Sequence, residues 1–220
     1  MEISDTKKKM LSHPLYCITA DKFSNGRTVL QVAGAMLDAG ARIIQYREKA
    51  PSMLRKYEEC IALRALTAKT GATFIVNDDI HIAMAVGADG VHIGQDDMPI
   101  EAVRTLVGDE MIIGLSTHSP EQARDAIARG ADYIGVGPLF QTFTKDDVCA
   151  PVGLEYLDFA VKNVHIPFVA IGGIKLDNLR EVASRGARCA ALVTEIVGAA
   201  DIGEAVRQAL AIMAANSPQL

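Results

Sequence analysis

Short apolar runs recur along this chain, each followed by a few polar residues and then by a stretch whose apolar positions repeat with helical spacing. The runs lie at 15–19, 43–46, 73–76, 90–93, 111–115, 133–136, 168–171 and 189–193. They are nearly continuous rather than alternating, as expected of parallel strands covered on both faces. One helical pattern spans 28–38, and another opens with Ser119-Pro120-Glu121-Gln122. There a capping Ser, a Pro at the first helical position and a Gln three residues after the cap make a capping-box arrangement. Asp177 is expected to cap the helix running to Ser184, and Asp201 the last helix, through Met213. Gly40-Ala41, Gly71-Ala72, Gly87-Ala88, Gly130-Ala131 and Gly186-Ala187 each stand between a helical pattern and an apolar run, where glycine supplies the left-handed residue that closes a helix. A βα unit therefore repeats about eight times, the number of a closed barrel. A doubly wound sheet would contain similar strands, but the units are evenly spaced and no glycine-rich dinucleotide loop follows the first strand. The expectation is an α/β fold, a single (β/α)8 TIM barrel over residues 1–220, with 1–14 as an N-terminal extension and 215–220 as a frayed tail.

Composition agrees with that architecture. Half of the 220 residues are hydrophobic but only 5% are aromatic, so the core is expected to be built from Ala, Val, Ile and Leu. The formal net charge of −5 argues against non-specific nucleic-acid binding, while permitting a small basic cluster facing a phosphate. Cys17, Cys60, Cys149 and Cys189 form no C-x-x-C pair, which argues against a zinc or redox motif and suits reduced thiols in a cytoplasm. Residues 1–11 lack the apolar core of a signal peptide, and no run approaches the ~18 apolar residues of a membrane span. A cytoplasmic protein acting on small molecules, without nucleic acid or membrane, is expected; the sequence leaves a homo-oligomer open.

Chemistry gathers at the strand exits, the face on which barrels carry their active sites. The stretch 75–99 reads as strand, helix, strand. Its first strand stops at Asn77, Asp78 and Asp79 and its second before Asp96 and Asp97. Adjacent parallel strands lie roughly 4.8 Å apart, so the acids can converge, and magnesium is normally held by one or two carboxylates together with substrate phosphates. A plainer reading has Asp78 or Asp79 only capping the next helix. Gln45-Tyr46-Arg47-Glu48-Lys49 crowds two cations into another exit, and Ser116, His118, Thr142, Thr144, Lys145, Gly172-Gly173 and Thr194 mark others. Arg47, Lys49 and Lys145 opposite two carboxylates match a metal-bound pyrophosphate. Gly172-Gly173 with Val193-Thr194 suits a second phosphate after the seventh and eighth strands, with Glu195 turned outward. The loop 138–153 is long enough to be a lid or binding loop. His118 has no evident proton-transfer partner; His92 reads as a barrel-interior residue and Cys149 as an ordinary loop thiol.

Taken together, Q-Y-R-E-K at 45–49, N-D-D at 77–79, A-D-G-V-H-I-G-Q-D-D at 88–97, G-L-S-T-H at 114–118, G-V-G-P-L-F-Q-T-F-T-K at 135–145 and A-I-G-G-I at 170–174 resemble the thiamine-phosphate synthase (thiamine-phosphate pyrophosphorylase) family. The resemblance implies a transferase of a non-methyl alkyl group (EC 2.5.1.3 type) with Mg2+ as cofactor. It would join 4-amino-2-methyl-5-(diphosphooxymethyl)pyrimidine to thiazole phosphate, giving thiamine phosphate and releasing pyrophosphate by a dissociative reaction. It implies catalytic roles for Arg47, Lys49, Ser116 and Lys145, and metal ligation by Asp78 and Asp97. Gln45 would meet the pyrimidine and Asn77 the diphosphate, with Tyr46 and Glu48 in the same contact run. Thr142, Phe143 and Thr144 would meet thiazole phosphate, and Gly173, Val193 and Thr194 its phosphate. Tyr46 stands where Leu is usual in that family, Gln141 where Pro is frequent, and Val193-Thr194-Glu195 where a Ser-Ala pair often follows an aliphatic residue. The rivals are a thiazole tautomerase-like paralogue, against which Asp78, Asp97, Arg47 and Lys49 weigh, and a non-catalytic barrel that binds thiamine phosphate.

Overall fold

In the computed structural model, which describes residues 4–49, 51–144 and 150–216, the apolar runs are eight parallel strands. They are β1 (Leu15–Ile18), β2 (Ile43–Tyr46), β3 (Thr73–Asn77), β4 (Gly90–Ile93), β5 (Ile112–Thr117), β6 (Tyr133–Val136), β7 (Phe168–Ala170) and β8 (Ala190–Leu192). Each pairs with the next, and β8 closes on β1 through Leu15↔Ala190, Tyr16↔Ala191 and Cys17↔Leu192. The helices are α1 (Asp5–Met10), α2 (Val29–Asp38), α3 (Met53–Thr70), α4 (Ile80–Val86), α5 (Ile100–Val107), α6 (Pro120–Ala128), α7 (Gly153–Asn163), α8 (Leu176–Ser184), the one-turn α9 (Thr194–Val197) and α10 (Ile202–Asn216). The expected TIM barrel is the observed fold.

Closure splits each strand by parity, because successive side chains point to opposite faces. Tyr16, Ile18, Ile43, Ile75, Ile112, Tyr133, Val169, Cys189 and Ala191 fill the barrel interior. Cys17, Ile44, Tyr46, Phe74, Val76, Val91, Ile113, Ile134 and Leu192 pack outward against the helices. Each face is apolar, which is why the strands read as continuous runs.

Local chemistry sets the element ends. Thr28 caps α2 with a full capping box, its Oγ1 accepting from Gln31 N while Gln31 Oε1 accepts from Thr28 N. Ser119 caps α6, but Gln122 reaches one residue further back than expected, to His118 N. Asp201 caps α10 through Glu204 N. Asp177 does not cap α8: it lies inside the first turn, and Asn178 Oδ1 accepts the Lys175 N–H at that end instead. The Gly-Ala punctuation is a repeated Schellman closure. At Gly71, with φ at 66°, the following Ala72 N–H reaches back to Thr67 O, and Ala41, Ala88, Ala131 and Ala187 make the same bond to Met36, Ala83, Ala126 and Val182.

The segment that the sequence marks as an extension contains a structural element. Helix α1 lies at the strand-start end of the barrel, where Leu11 joins the interior cluster. Lys7 Nζ contacts both Asp132 carboxylate oxygens at 3.0 Å and Met111 O at 3.2 Å. Asp132 also accepts from Arg104 and from Ile113 N.

Candidate active site

The opposite end, where the strands exit, collects the expected acids and cations. Asn77 ends β3 on the inward parity, and the next residue, Asp78, adopts φ of 61°. That left-handed geometry is uncommon outside glycine, and Asp tolerates it better than most residues. Asp78 Oδ2 accepts from Lys49 Nζ at 2.8 Å and shares a hydrogen bond with Asp97. Asp79 pairs instead with Lys56, at 2.8 Å, and gives no side-chain cap to α4. Burial pushes Asp78 up, but the Lys49 ammonium, the bond with Asp97 and nearby Arg47 outweigh it, so its carboxyl is held below the ordinary range. Asp97 moves the other way: burial and the charge of Asp78 raise it against the Gly94 N–H that donates to it at 2.6 Å. The two carboxyls shift in opposite directions because each feels the other's charge, with the Lys49 ammonium on the Asp78 side.

Inside the mouth, Gln45 and Ser116 sit on inward parity and are joined through Tyr16, Tyr133 and His92 by hydrogen bonds. Two expected contacts are corrected here. Tyr46 faces the helices, buried, its hydroxyl donating to Glu59 Oε2 at 2.7 Å. Glu48 has the same parity as Tyr46; its Oε2 accepts from Asp21 N at 2.9 Å, and its Oε1 has no hydrogen-bond partner among the described residues. It lies beside Ser24, Val29 and Val32 behind the β1 exit, and its bond to Asp21 N braces that loop away from the mouth.

The exits of β6 and β7 are bonded to one another. Leu139 N donates to Ile171 O and Phe140 N to Gly172 O, both at 2.9 Å. A Cβ on Gly172 would overlap Pro138, and one on Gly173 would overlap Gln141 O and Phe140. The Gly-Gly pair is therefore required by loop packing, which brings the segment of Thr142 and Thr144 alongside β7. The two threonine hydroxyls lie 3.1 Å apart. Between them, the Phe143 side chain is 81% exposed. His118 Nδ1 donates to Gly137 O at 2.6 Å, tying the β5 and β6 exits together. Val193 packs against the interior cluster and Thr194 begins α9, while Glu195 turns onto Leu176 N at 3.4 Å. Lys145 and Cys149 lie outside the described residues.

Residues 15–196 match the family model of thiamine monophosphate synthase. The thiamine-phosphate synthase of Pelotomaculum thermopropionicum is 60% identical over 204 residues, covering 93% of this chain and 94% of that protein. The chain belongs to the thiamine-phosphate synthase family. The family's enzyme from Lawsonia intracellularis is 56% identical over 87% of this chain and 88% of its own length. Among solved structures, the thiamine phosphate pyrophosphorylase of Pyrococcus furiosus superposes with a TM-score of 0.86 at 37% identity, over 94% of this chain and 98% of that one. A 3-hexulose-6-phosphate synthase, at 21% identity and a TM-score of 0.64 over 91% and 99% of the two chains, shares the fold alone. Membership makes this chain a transferase of the synthase type.

Within this synthase-family barrel, the donor set at the mouth fits a hard divalent cation. Asp78 and Asp97 offer carboxylate oxygens close enough to feel each other's charge, the type of ligand such a cation takes. Among the described residues no group of three or more His, Cys, Asp or Glu side chains is gathered for a metal ion, so ligands beyond the two carboxylates would come from substrate or water. No helix among the described residues is long and apolar enough to cross a membrane. Motif reading left Tyr16 and Tyr133 unassigned. The available signal was parity: both occupy inward positions of otherwise aliphatic strands, and Gly114 clears space for the Tyr133 ring.

Proposed function

We propose that this chain condenses 4-amino-2-methyl-5-(diphosphooxymethyl)pyrimidine with thiazole phosphate, forming thiamine phosphate and pyrophosphate. The observation that carries this reading is the Asp78–Asp97 pair flanked by Lys49 and Arg47 at the barrel mouth, in a chain of this family. In the dissociative course, the C–O bond between the pyrimidine methylene and the diphosphate breaks with both electrons leaving on oxygen. The electron-rich aminopyrimidine delocalises the methylene cation, and the thiazole nitrogen lone pair then forms the new C–N bond. No protein nucleophile takes part.

The residues of this chain hold and neutralise. Gln45, inward on β2, would meet the pyrimidine; Arg47, Lys49, Asn77, Ser116 and Lys145 would bind the diphosphate and offset the charge that grows on it. Thr142 and Thr144 would meet the thiazole, and Gly173, Val193 and Thr194 its phosphate. Asp78 and Asp97 would hold Mg2+, which when bound supplies positive charge against the leaving pyrophosphate. Fixing both reactants in line supplies the remaining acceleration by removing the entropy of encounter. We further propose a cytoplasmic setting.

The test is direct. Purified full-length protein is incubated with both substrates, with and without magnesium, and thiamine phosphate and pyrophosphate are followed together. Equal amounts of the two, formed only with metal, support the reading. Absence of both, with isomerisation or mere binding of a thiazole phosphate, would replace it with the tautomerase-like or non-catalytic alternative.

A further inference from the structure

Five polar side chains cross the barrel interior in one hydrogen-bonded line from β2 to β5. Gln45 Nε2 donates to Tyr16 Oη at 2.9 Å, and Tyr16 Oη stands 2.7 Å from Tyr133 Oη. Tyr133 Oη is 2.9 Å from His92 Nδ1, and His92 Nε2 is 2.9 Å from Ser116 Oγ. Tyr16, Gln45 and Tyr133 are buried, so an unmatched proton on the line cannot be given to bulk water. That requirement sets its direction. Tyr16 accepts from Gln45, so its own proton finds an acceptor on the line only at Tyr133. The Tyr133 proton then finds one only at His92 Nδ1. His92 is thereby the Nε2–H tautomer and donates to Ser116 Oγ, which leaves the serine proton available to an acceptor in the mouth.

Turning the Gln45 amide over reverses every bond at once. Ser116 would then give its proton to His92, and Gln45 would offer N–H to the mouth in place of Oε1. The two ends are therefore not independent. Space for the line is built in as well: a Cβ on Gly114 would overlap the Tyr133 ring.

We infer that Tyr16, Tyr133 and His92 are positioning residues that couple recognition of an amino group at Gln45 to the donor state of the Ser116 hydroxyl. The inference rests on the aminopyrimidine diphosphate reading above. An exocyclic amine needs the acceptor Oε1 of Gln45, which commits the amide nitrogen to Tyr16 and keeps Ser116 a donor toward the leaving group. A 4-oxo ring needs an N–H instead; it favours the opposite direction and withdraws the serine proton. Amino over oxo selection would thus act on turnover as well as on binding.

The test uses full-length 15N-labelled protein with magnesium and the pyrimidine diphosphate, thiazole phosphate being omitted so that no product forms. Histidine ring 15N shifts, with His92 assigned by comparison with His92→Gln, are expected to report protonated Nε2 and unprotonated Nδ1. In Tyr133→Phe the line is cut. Both His92 tautomers should then coexist, and kcat should fall about tenfold, the rate equivalent of one neutral hydrogen bond, with KM for thiazole phosphate unchanged. Should Tyr133→Phe fail to fold, Tyr16→Phe is expected to give the same mixture. A wild-type His92 protonated on Nδ1, or a cut line that keeps one Nε2–H tautomer and full kcat, overturns the inference. A wild type that makes no thiamine phosphate sinks the function itself; an active wild type with the wrong tautomer sinks only the coupling.

Discussion

Replacing Asp132 with alanine removes one carboxylate that satisfies three donors at the closed end of the barrel. Lys7 Nζ loses both of its 3.0 Å contacts, Arg104 loses a 2.7 Å bond and Ile113 N a 2.8 Å bond. The loss falls unevenly. Arg104 keeps Gly108, Met111 and Gly130 carbonyls, whereas Lys7, with its side chain 8% exposed, keeps only Met111 O among the bonds seen for its ammonium. Breaking a buried pair by removing one partner costs about 3–5 kcal/mol, because the other charge stays desolvated. Ile113 N–H, orphaned between two strands, adds a penalty that is not independent of the first. At roughly 2–4 °C per kcal/mol for a domain of this size, Tm should fall by about 6–20 °C. Removing the cation is expected to be milder: Lys7→Met leaves Asp132 with Arg104 and Ile113 N and preserves much of the side-chain volume, so its cost should stay near 1 kcal/mol. The double variant should regain part of the Asp132→Ala loss. Urea unfolding of the three variants, with kcat measured at 25 °C, checks this; kcat should be unchanged because the network lies at the opposite end from the mouth. The reasoning is refuted if Asp132→Ala stays within 1 kcal/mol of wild type, or if Lys7→Met costs as much.

Three further outcomes are expected. Tyr46→Phe loses the bond to Glu59 and about 1–2 kcal/mol of stability, with both KM values within about twofold of wild type; a large rise in either would return Tyr46 to the mouth. Asp97→Ala, and separately Lys145→Ala, should lower turnover on the order of 100-fold with the circular dichroism spectrum intact, and chelation of wild type should abolish turnover until magnesium is restored. Near-normal turnover in both variants would remove the metal and cation roles. Burial holds the Glu48 carboxyl above its ordinary value of 4.5, so the folded state binds more protons than the unfolded one as pH rises past that value, and wild-type stability declines there. Glu48→Gln should therefore match wild type in thermal melts at about pH 4 and gain on it as the medium approaches neutrality; a Tm difference that ignores pH would contradict this.

The barrel was legible because its signals are local and repeated. A Gly-Ala step after a helix fixes a left-handed residue and a back-reaching amide within six residues, and Thr28, Ser119 and Asp201 cap with side chains that act over three. The acids were legible for the same reason: Asp78 follows β3 directly and Asp97 lies in the short turn after β4, and adjacent strands of a βαβ unit leave little choice about where their ends lie. Asp177 was misread because two polar residues in one turn, Asp177 and Asn178, can each serve an N-terminus, and only the entry angle of the chain selects between them.

Parity was the less legible part. Gln45 and Tyr46 are consecutive in one motif, yet one reaches the barrel interior and the other the helix layer, since which face of an all-apolar strand turns inward depends on how eight strands close. The interior line depends on closure still more strongly: Tyr16 and Tyr133 meet across 117 residues and His92 and Tyr133 across 41. By itself, the sequence determined the βα repeat, the helix ends and the exits at which charge collects, because backbone sterics and short-range capping act within a turn or a strand. Tertiary structure alone decided which polar side chains share the interior, in what order they bond, and that α1 seals the floor, because those contacts exist only after the sheet has closed and water has been excluded from both of its faces.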